Sequence, residues 1–262
     1  MFFLPLFDDN PTLRKPFINW LLIAFMLGWY FLFQLQYPPQ LAYVIGFIPA
    51  RFFGEAILPL PPGFELFTPT VTLFSAMFSH GSVMHIAGNL WIAYLLGDNL
   101  EDKMGHFRFL VFVLICGVVG NLVHGLTNTT SPVPLVGYSG AVNGMITGYV
   151  LLFPRANFRC LIVVLVFFRL MNIPALAVFL IWAFGQISGL LSAPDGVAYF
   201  AHLGGAVAGA LLVPFFKRRD VQLFAPQCSQ SGIQTASKVS LSAMRRKSSV
   251  PSFQRHQKGP WG

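Results

Sequence analysis

Charged side chains are scarce in this chain. Asp, Glu, Lys and Arg make up 10% of its 262 residues, against about 25% in ordinary soluble domains. That is too few to coat a water-facing surface, and it excludes a soluble globular protein. Cysteine is nearly absent: Cys116, Cys160 and Cys228 have no metal-ligand spacing and build no disulfide framework. The zinc-site pattern H-E-x-x-H does not occur, and no pair of aspartates lies buried in apolar runs, so zinc-hydrolase and paired-aspartate chemistries are excluded. There is no internal repeat, which argues against a transporter or metal carrier built from repeated halves.

Apolar residues are abundant instead. They form 55% of the chain, and Phe alone contributes 28. A bilayer core of ~30 Å requires roughly 20 apolar residues in a helix. Six segments meet or approach that length, at 17–36, 83–100, 107–126, 137–153, 174–191 and 197–216. The predicted fold class is therefore an all-α membrane protein, a bundle of six transmembrane helices with an outer, membrane-embedded loop between the first and second. The fourth and sixth segments are Gly-rich, as expected for helices buried within a bundle. Arg14 and Lys15 precede the first segment, Lys103 and Arg108 follow the second, and Arg155, Arg159 and Arg169 follow the fourth. Lys217, Arg218 and Arg219 follow the sixth, while the alternate loops contain only Arg51. This alternation predicts both termini in the cytoplasm, with the protein in the cell (inner) membrane.

The division expected is a cytoplasmic segment 1–16, a six-span domain 17–216 and a basic tail 217–262, disordered from 221. The first apolar run follows Asp8 and Asp9 and is long enough to be retained as an anchor. Net charge is +8, and nine of the 17 basic residues lie at or after Lys217. Such a tail suits anionic lipid or solvent rather than nucleic acid. Residues 41–79 contain five prolines and cannot form one helix; short amphipathic pieces lying partly in the outer leaflet are expected. Residues 160–168 read as an interfacial segment on the cytoplasmic side. The alternative, one helix from 160 to 185, would bury Arg169 in lipid.

Polar residues inside spans are costly to bury and so point to chemistry. The second span carries His85 and Asn89 one turn apart, the fourth opens on Gly137-Tyr138-Ser139-Gly140, and the sixth holds His202. All three spans run from outside to inside, so these residues share one shallow outer layer. Gly140, Gly144 and Gly148 make a small-residue stripe on the fourth span, and Gly205 and Gly209 make one on the sixth. Such stripes let helix backbones approach closely, and a serine nucleophile needs an imidazole within reach. Of the nine acidic residues, none lies in the outer half of a span, and Asp195 is the one conceivable third partner. The favoured reading is a Ser139–His202 dyad without a carboxylate, with His85, Asn89 and the Ser139 amide donating to an oxyanion.

From PLFDDNPTLRKP through HGSVMHIAGN, GYSGAVNGMITGYVLLFPRA and AHLGGAVAGALL, the sequence resembles the rhomboid family of intramembrane serine proteases. The resemblance implies Ser139 as nucleophile, His202 as base, and His85 and Asn89 at the oxyanion site. It implies a six-helix bundle with a wet cavity open to the outside, no cofactor and no metal. Transmembrane protein substrates and membrane lipids would be its partners. Val71-Thr72 departs from the Trp-Arg pair of many members, Asn143 stands where some carry an aromatic, and Tyr138 replaces a small residue and would narrow the cavity. The alternative function is a catalytically silent rhomboid-like binder, which would require loss of Ser139 or His202. Plainer roles are expected for other residues: His80 ordering the outer loop, His124 capping the third span, Asn121 and Gln186 tying helices together. Glu101, Asp102 and Lys103 read as a solvated cytoplasmic turn.

Overall fold

A computed structural model of the chain describes residues 2–36, 38–54, 67–164, 167–192 and 196–224. The chain begins with strand β1 (Phe2–Asp8) and enters helix α1 (Phe17–Leu32). Short helices α2 (Pro38–Ile45), α3 (Pro49–Phe52) and α4 (Pro69–Ser75) then lead into the long helices α5 (Val83–Met104) and α6 (His106–Thr127). Helix α7 (Ser139–Leu152), strands β2 (Asn157–Val164) and β3 (Phe167–Pro174), and helices α8 (Ala175–Leu190) and α9 (Tyr199–Phe216) complete it. Helices occupy all six intervals where the sequence places long apolar segments.

Among the described residues, three stretches, Phe17–Gln36, His106–Thr127 and Tyr199–Phe216, are long and apolar enough to cross a membrane. The other three helices fall short for identifiable reasons. Helix α5 carries Asp98, Glu101, Asp102 and Lys103 near its end, and α7 and α8 have 14 and 16 residues, fewer than the roughly 20 that span hydrocarbon.

The proline-rich stretch after α1 breaks into short helices as expected. Pro49 and Pro69 stand at the first turns of α3 and α4, where a missing N–H costs nothing. A bridge between Phe47 and Leu135 ties this stretch to the connection before α7. Residues 55–66 of the expected loop lie outside the described residues, as do Asp195 and 225–262 of the tail.

The segment around 160–168 is not a lone interfacial piece. Its described residues belong to the antiparallel strands β2 and β3, and β1 joins to give a sheet of order β1-β2-β3. Leu161, Ile162, Val163 and Val164 favour a pleated surface, and β1 supplies the backbone partners such a run needs. Arg169 sits opposite Ile162, exposed at the sheet surface, so the long-helix alternative is ruled out. Pro174 ends the strand and α8 starts at the next residue.

The expected solvated turn is also corrected. Glu101 and Asp102 are each only 1% exposed. The Glu101 carboxylate accepts from the backbone N–H groups of Ile18 (3.0 Å) and Asn19 (2.8 Å), and it contacts His106 Nδ1. An anion at the N-terminus of α1 meets unpaired amides and the positive end of the helix dipole. Asp102 pairs with Lys103 at 2.6 Å.

Nearby, Asp8 of β1 accepts from the Tyr149 hydroxyl and from Asn99 Nδ2 at 2.9 Å, pinning the N-terminal strand against α5 and α7. Burial, partly offset by the Tyr149 hydrogen bond, raises its pKa from the ordinary 3.8 to about 7. The folded protein thus holds this proton more tightly than the unfolded chain does. The resulting stability is whole below the unfolded pKa and is lost as pH rises through the folded one. The melting temperature in detergent is expected to fall by a few degrees between about pH 5 and pH 8. Asp8→Asn cannot ionise and should flatten that slope; an unchanged slope would assign the titration to another group.

The centre of the bundle is glycine-lined. A methyl group at Gly205 of α9 would overlap the Gly140 carbonyl of α7, and one at Gly209 would overlap the Gly144 carbonyl. On α6, a methyl at Gly120 would stand 2.7 Å from the Ala201 carbonyl oxygen and 3.2 Å from Gly140 Cα. The backbones of α6, α7 and α9 therefore touch at a point beside Ser139 and His202.

Candidate active site

Ser139 is the first residue of α7, so its amide belongs to the helix's unpaired first turn. The chain reaches it through Gly137, whose φ of 133° lies where L side chains are strained. The Gly137 N–H donates to the Ala76 carbonyl (2.9 Å), and the Tyr138 N–H donates to His80 Nε2 (3.4 Å). A methyl at Gly137 would lie 2.8 Å from the His85 ring and 3.6 Å from Ser139 Oγ. The bare glycine thus leaves one space into which both side chains reach.

His85 sits in the first turn of α5, whose N-terminus is capped by Ser82 Oγ accepting from the His85 N–H (3.1 Å). Its Nδ1 accepts from the Gly81 N–H at 3.4 Å. In a neutral imidazole that leaves the proton on Nε2, the atom facing Gly137, as a donor. Asn89, one turn deeper, is buried, and its Nδ2 has no partner among the described residues. A buried donor left open in this way suits an acceptor brought from outside.

His202 is half-buried in the first turn of α9. Its Nδ1 lies 2.8 Å from Gln186 Oε1 on α8. A carbonyl oxygen only accepts, so Nδ1 carries the proton and Nε2 offers a lone pair. His85 and His124 lie near enough to interact electrostatically with the His202 ring. No direct hydrogen bond joins Ser139 to His202 among the described residues; resting sites often tighten such bonds only on binding substrate. A cleft of about 430 Å³, lined by His124, Leu135, Leu190 and Tyr199 among others, opens beside the start of α9.

Several neighbours differ from expectation. Tyr138 does not narrow a cavity: it is 1% exposed and stacks on Phe78 in the core. Asn143 does hydrogen-bond, as expected where some members carry an aromatic, and its partner is its own helix: it donates to the Ser139 carbonyl (2.7 Å). Asn121 ties α6 to the Leu73 carbonyl of α4 (2.8 Å), as expected of a linking residue. The end of α6 is closed by Thr127 and Asn128, whose side chains donate to the His124 carbonyl, rather than by the His124 ring. His80 does more than order the loop. Gln34 grips its backbone from both sides, and its ring supports the residue before Ser139. Gln186 likewise ties two helices, but its partner is His202 itself. The three-residue spacings Gln186/Gly189 and Tyr199/His202 on consecutive helices were the available sequence signal. Among the described residues, no group of three or more His, Cys, Asp or Glu could hold a metal ion.

The chain is similar over about half of its length to known proteins. Rhomboid-like protein 11, chloroplastic, of Arabidopsis thaliana is 33% identical over 141 residues, covering 53% of this chain and 50% of that protein. RHOMBOID-like protein 12, mitochondrial, of the same plant is 29% identical over 157 residues, 53% of this chain and 44% of the relative. Presenilin-associated rhomboid-like protein A, mitochondrial, of Danio rerio is 24% identical over 150 residues, 56% and 38%. The chain thus matches half or less of the length of each of these relatives. The Rhomboid domain model matches residues 68–219, more than half of the sequence and all of α5 to α9, and the chain belongs to the rhomboid family.

Proposed function

We propose that the chain is an intramembrane serine endopeptidase that hydrolyses peptide bonds in or near the transmembrane segments of membrane proteins. In this reading α1, α5, α6, α7, α8 and α9 are six spans, residues 17–216 form the protease domain, and both termini face the cytoplasm. Ser139 Oγ attacks the scissile carbonyl while His202 Nε2 takes its proton, giving a tetrahedral oxyanion and an imidazolium. His85 Nε2–H, Asn89 Nδ2 and the Ser139 amide stabilise that oxyanion. The imidazolium then protonates the departing amine, and water, deprotonated by the same base, releases the acyl group from Ser139. The reaction needs no metal or cofactor, and lipids contact the outer faces of the bundle.

The observation that carries this reading is the state of His202. Its Nδ1 proton is engaged by Gln186, which leaves Nε2 basic, on a helix whose backbone abuts the one opening at Ser139. The test is labelling of the purified protein in detergent with a fluorophosphonate, which reacts with activated serines. Covalent labelling at Ser139 supports the protease; a protein that binds membrane clients but is never labelled is the silent binder.

A second measurement addresses the oxyanion site. Asn89→Ala is expected to lower kcat by roughly 10–1000-fold without abolishing turnover, the scale of one lost donor. An unchanged rate would reassign Asn89 to packing.

A further inference from the structure

We propose that Gln186 is the positioning residue for the base: from α8, its side-chain carbonyl fixes the tautomer and orientation of His202. The inference rests on the protease reading and extends it to a third member. The sequence offers no carboxylate for this place among the described residues, and the structure puts a neutral amide there.

The contact is built by the pairing of two antiparallel helices. Gly189 of α8 faces Tyr199 of α9 so closely that a methyl at Gly189 would overlap the Tyr199 ring. One turn back along α8 and one turn forward along α9, the next facing pair is Gln186 and His202, with Oε1 and Nδ1 2.8 Å apart. Tyr199 also flanks the imidazole edge-on, with ring centroids 6.2 Å apart. The ring is thus held on one side by an aromatic of its own helix and at one nitrogen by α8.

The chemistry follows from which nitrogen is held. With Nδ1–H donated to Gln186, the neutral ring has its lone pair on Nε2, the form able to deprotonate a serine. Without an acceptor at Nδ1, the ring exchanges freely between tautomers and orientations, and one tautomer would present N–H instead of a base. When His202 becomes an imidazolium, the same carbonyl oxygen still accepts from Nδ1–H, so the charge forms without rearrangement. The titratable groups facing the ring from other helices are His85 of α5 and His124 of α6, with Tyr199 on α9 itself. An amide adds no charge to this cluster.

The experiment follows the rate of fluorophosphonate labelling and the cleavage of a transmembrane substrate across pH, for wild type, Gln186→Leu, Gln186→Asn and Gln186→Glu, with Ser139→Ala as reference. Gln186→Leu is expected to lower kcat about 10-fold or more with KM unchanged. Gln186→Glu keeps an acceptor and adds a negative charge beside Nδ1–H. It should retain activity and move the acidic limb of the pH–rate profile upward by about one unit. Gln186→Asn, too short to reach, should resemble Gln186→Leu. Wild-type kcat in Gln186→Leu, or an acidic limb unmoved in Gln186→Glu, overturns the inference while leaving the protease intact. If the leucine variant does not fold, the glutamate profile decides alone. Labelling of wild type that persists in Ser139→Ala overturns both readings together.

Discussion

Ser139→Ala and His202→Ala are each expected to reduce cleavage of a membrane-embedded substrate to background, a loss of at least about 10⁴-fold. The alanine at 139 removes one oxygen atom. It leaves in place the backbone carbonyl that accepts from Asn143 Nδ2 at 2.7 Å, the Tyr138 N–H bond to His80 and the glycine contacts of α7, so insertion and melting should match wild type. His202→Ala releases Gln186 but leaves the Gly205–Gly140 approach untouched. Two substitutions on different helices that each erase catalysis, with no gain in severity when combined, are the signature of groups acting as one unit. Proteoliposome assays with matched protein amounts provide the measurement. Turnover by the Ser139→Ala variant at the wild-type rate would leave a rhomboid-family membrane protein with its chemistry elsewhere.

The sequence revealed the helices because hydrophobic runs of the right length carry their own signal, and the glycine stripes on α7 and α9 fall where the structure packs backbone on backbone. The sheet was hidden for a physical reason. Strand β2 pairs with residues 2–8, ahead of all the long helices, and no local pattern announces so distant a partner. Glu101 was misread for a similar reason: as one of three charges in a row it looks solvated, and only the arrival of the α1 N-terminus, 82 residues earlier, explains its burial. At the candidate site, residue identities were legible but their hydrogen bonds were not. The tautomers of His85 and His202 depend on Gly81 and Gln186. The first is four residues away and the second sits on another helix. Tyr138 fills a slot that many family members give to a small residue, which suggests a narrowed cavity, yet after the glycine turn at Gly137 its ring lies in the core.

Gly205→Ala is the substitution expected to damage the fold most for its size. The added methyl would collide with the Gly140 carbonyl oxygen, a backbone atom fixed within α7, so relief requires moving a whole helix. Overpacking of this kind costs about 3 kcal/mol, or roughly 6–12 °C in melting temperature for a domain of this size. Catalysis should fall further than stability alone accounts for, because displacing α9 by about 1 Å misplaces the base and can cost ~100-fold. Two controls separate this from a general intolerance of alanine. A methyl added at Gly28 of α1 would meet nothing within 4 Å, so Gly28→Ala should be neutral or slightly stabilising, as helix propensity dictates. Gly117→Ala would meet first the Met77 side chain rather than backbone, so shortening Met77 should rescue it. No side-chain change at position 140 can rescue Gly205→Ala, because the obstacle is the peptide carbonyl itself. A Gly205→Ala protein with wild-type melting and turnover would mean that α7 and α9 do not meet at these glycines, and the approach of Ser139 to His202 would lose its structural basis.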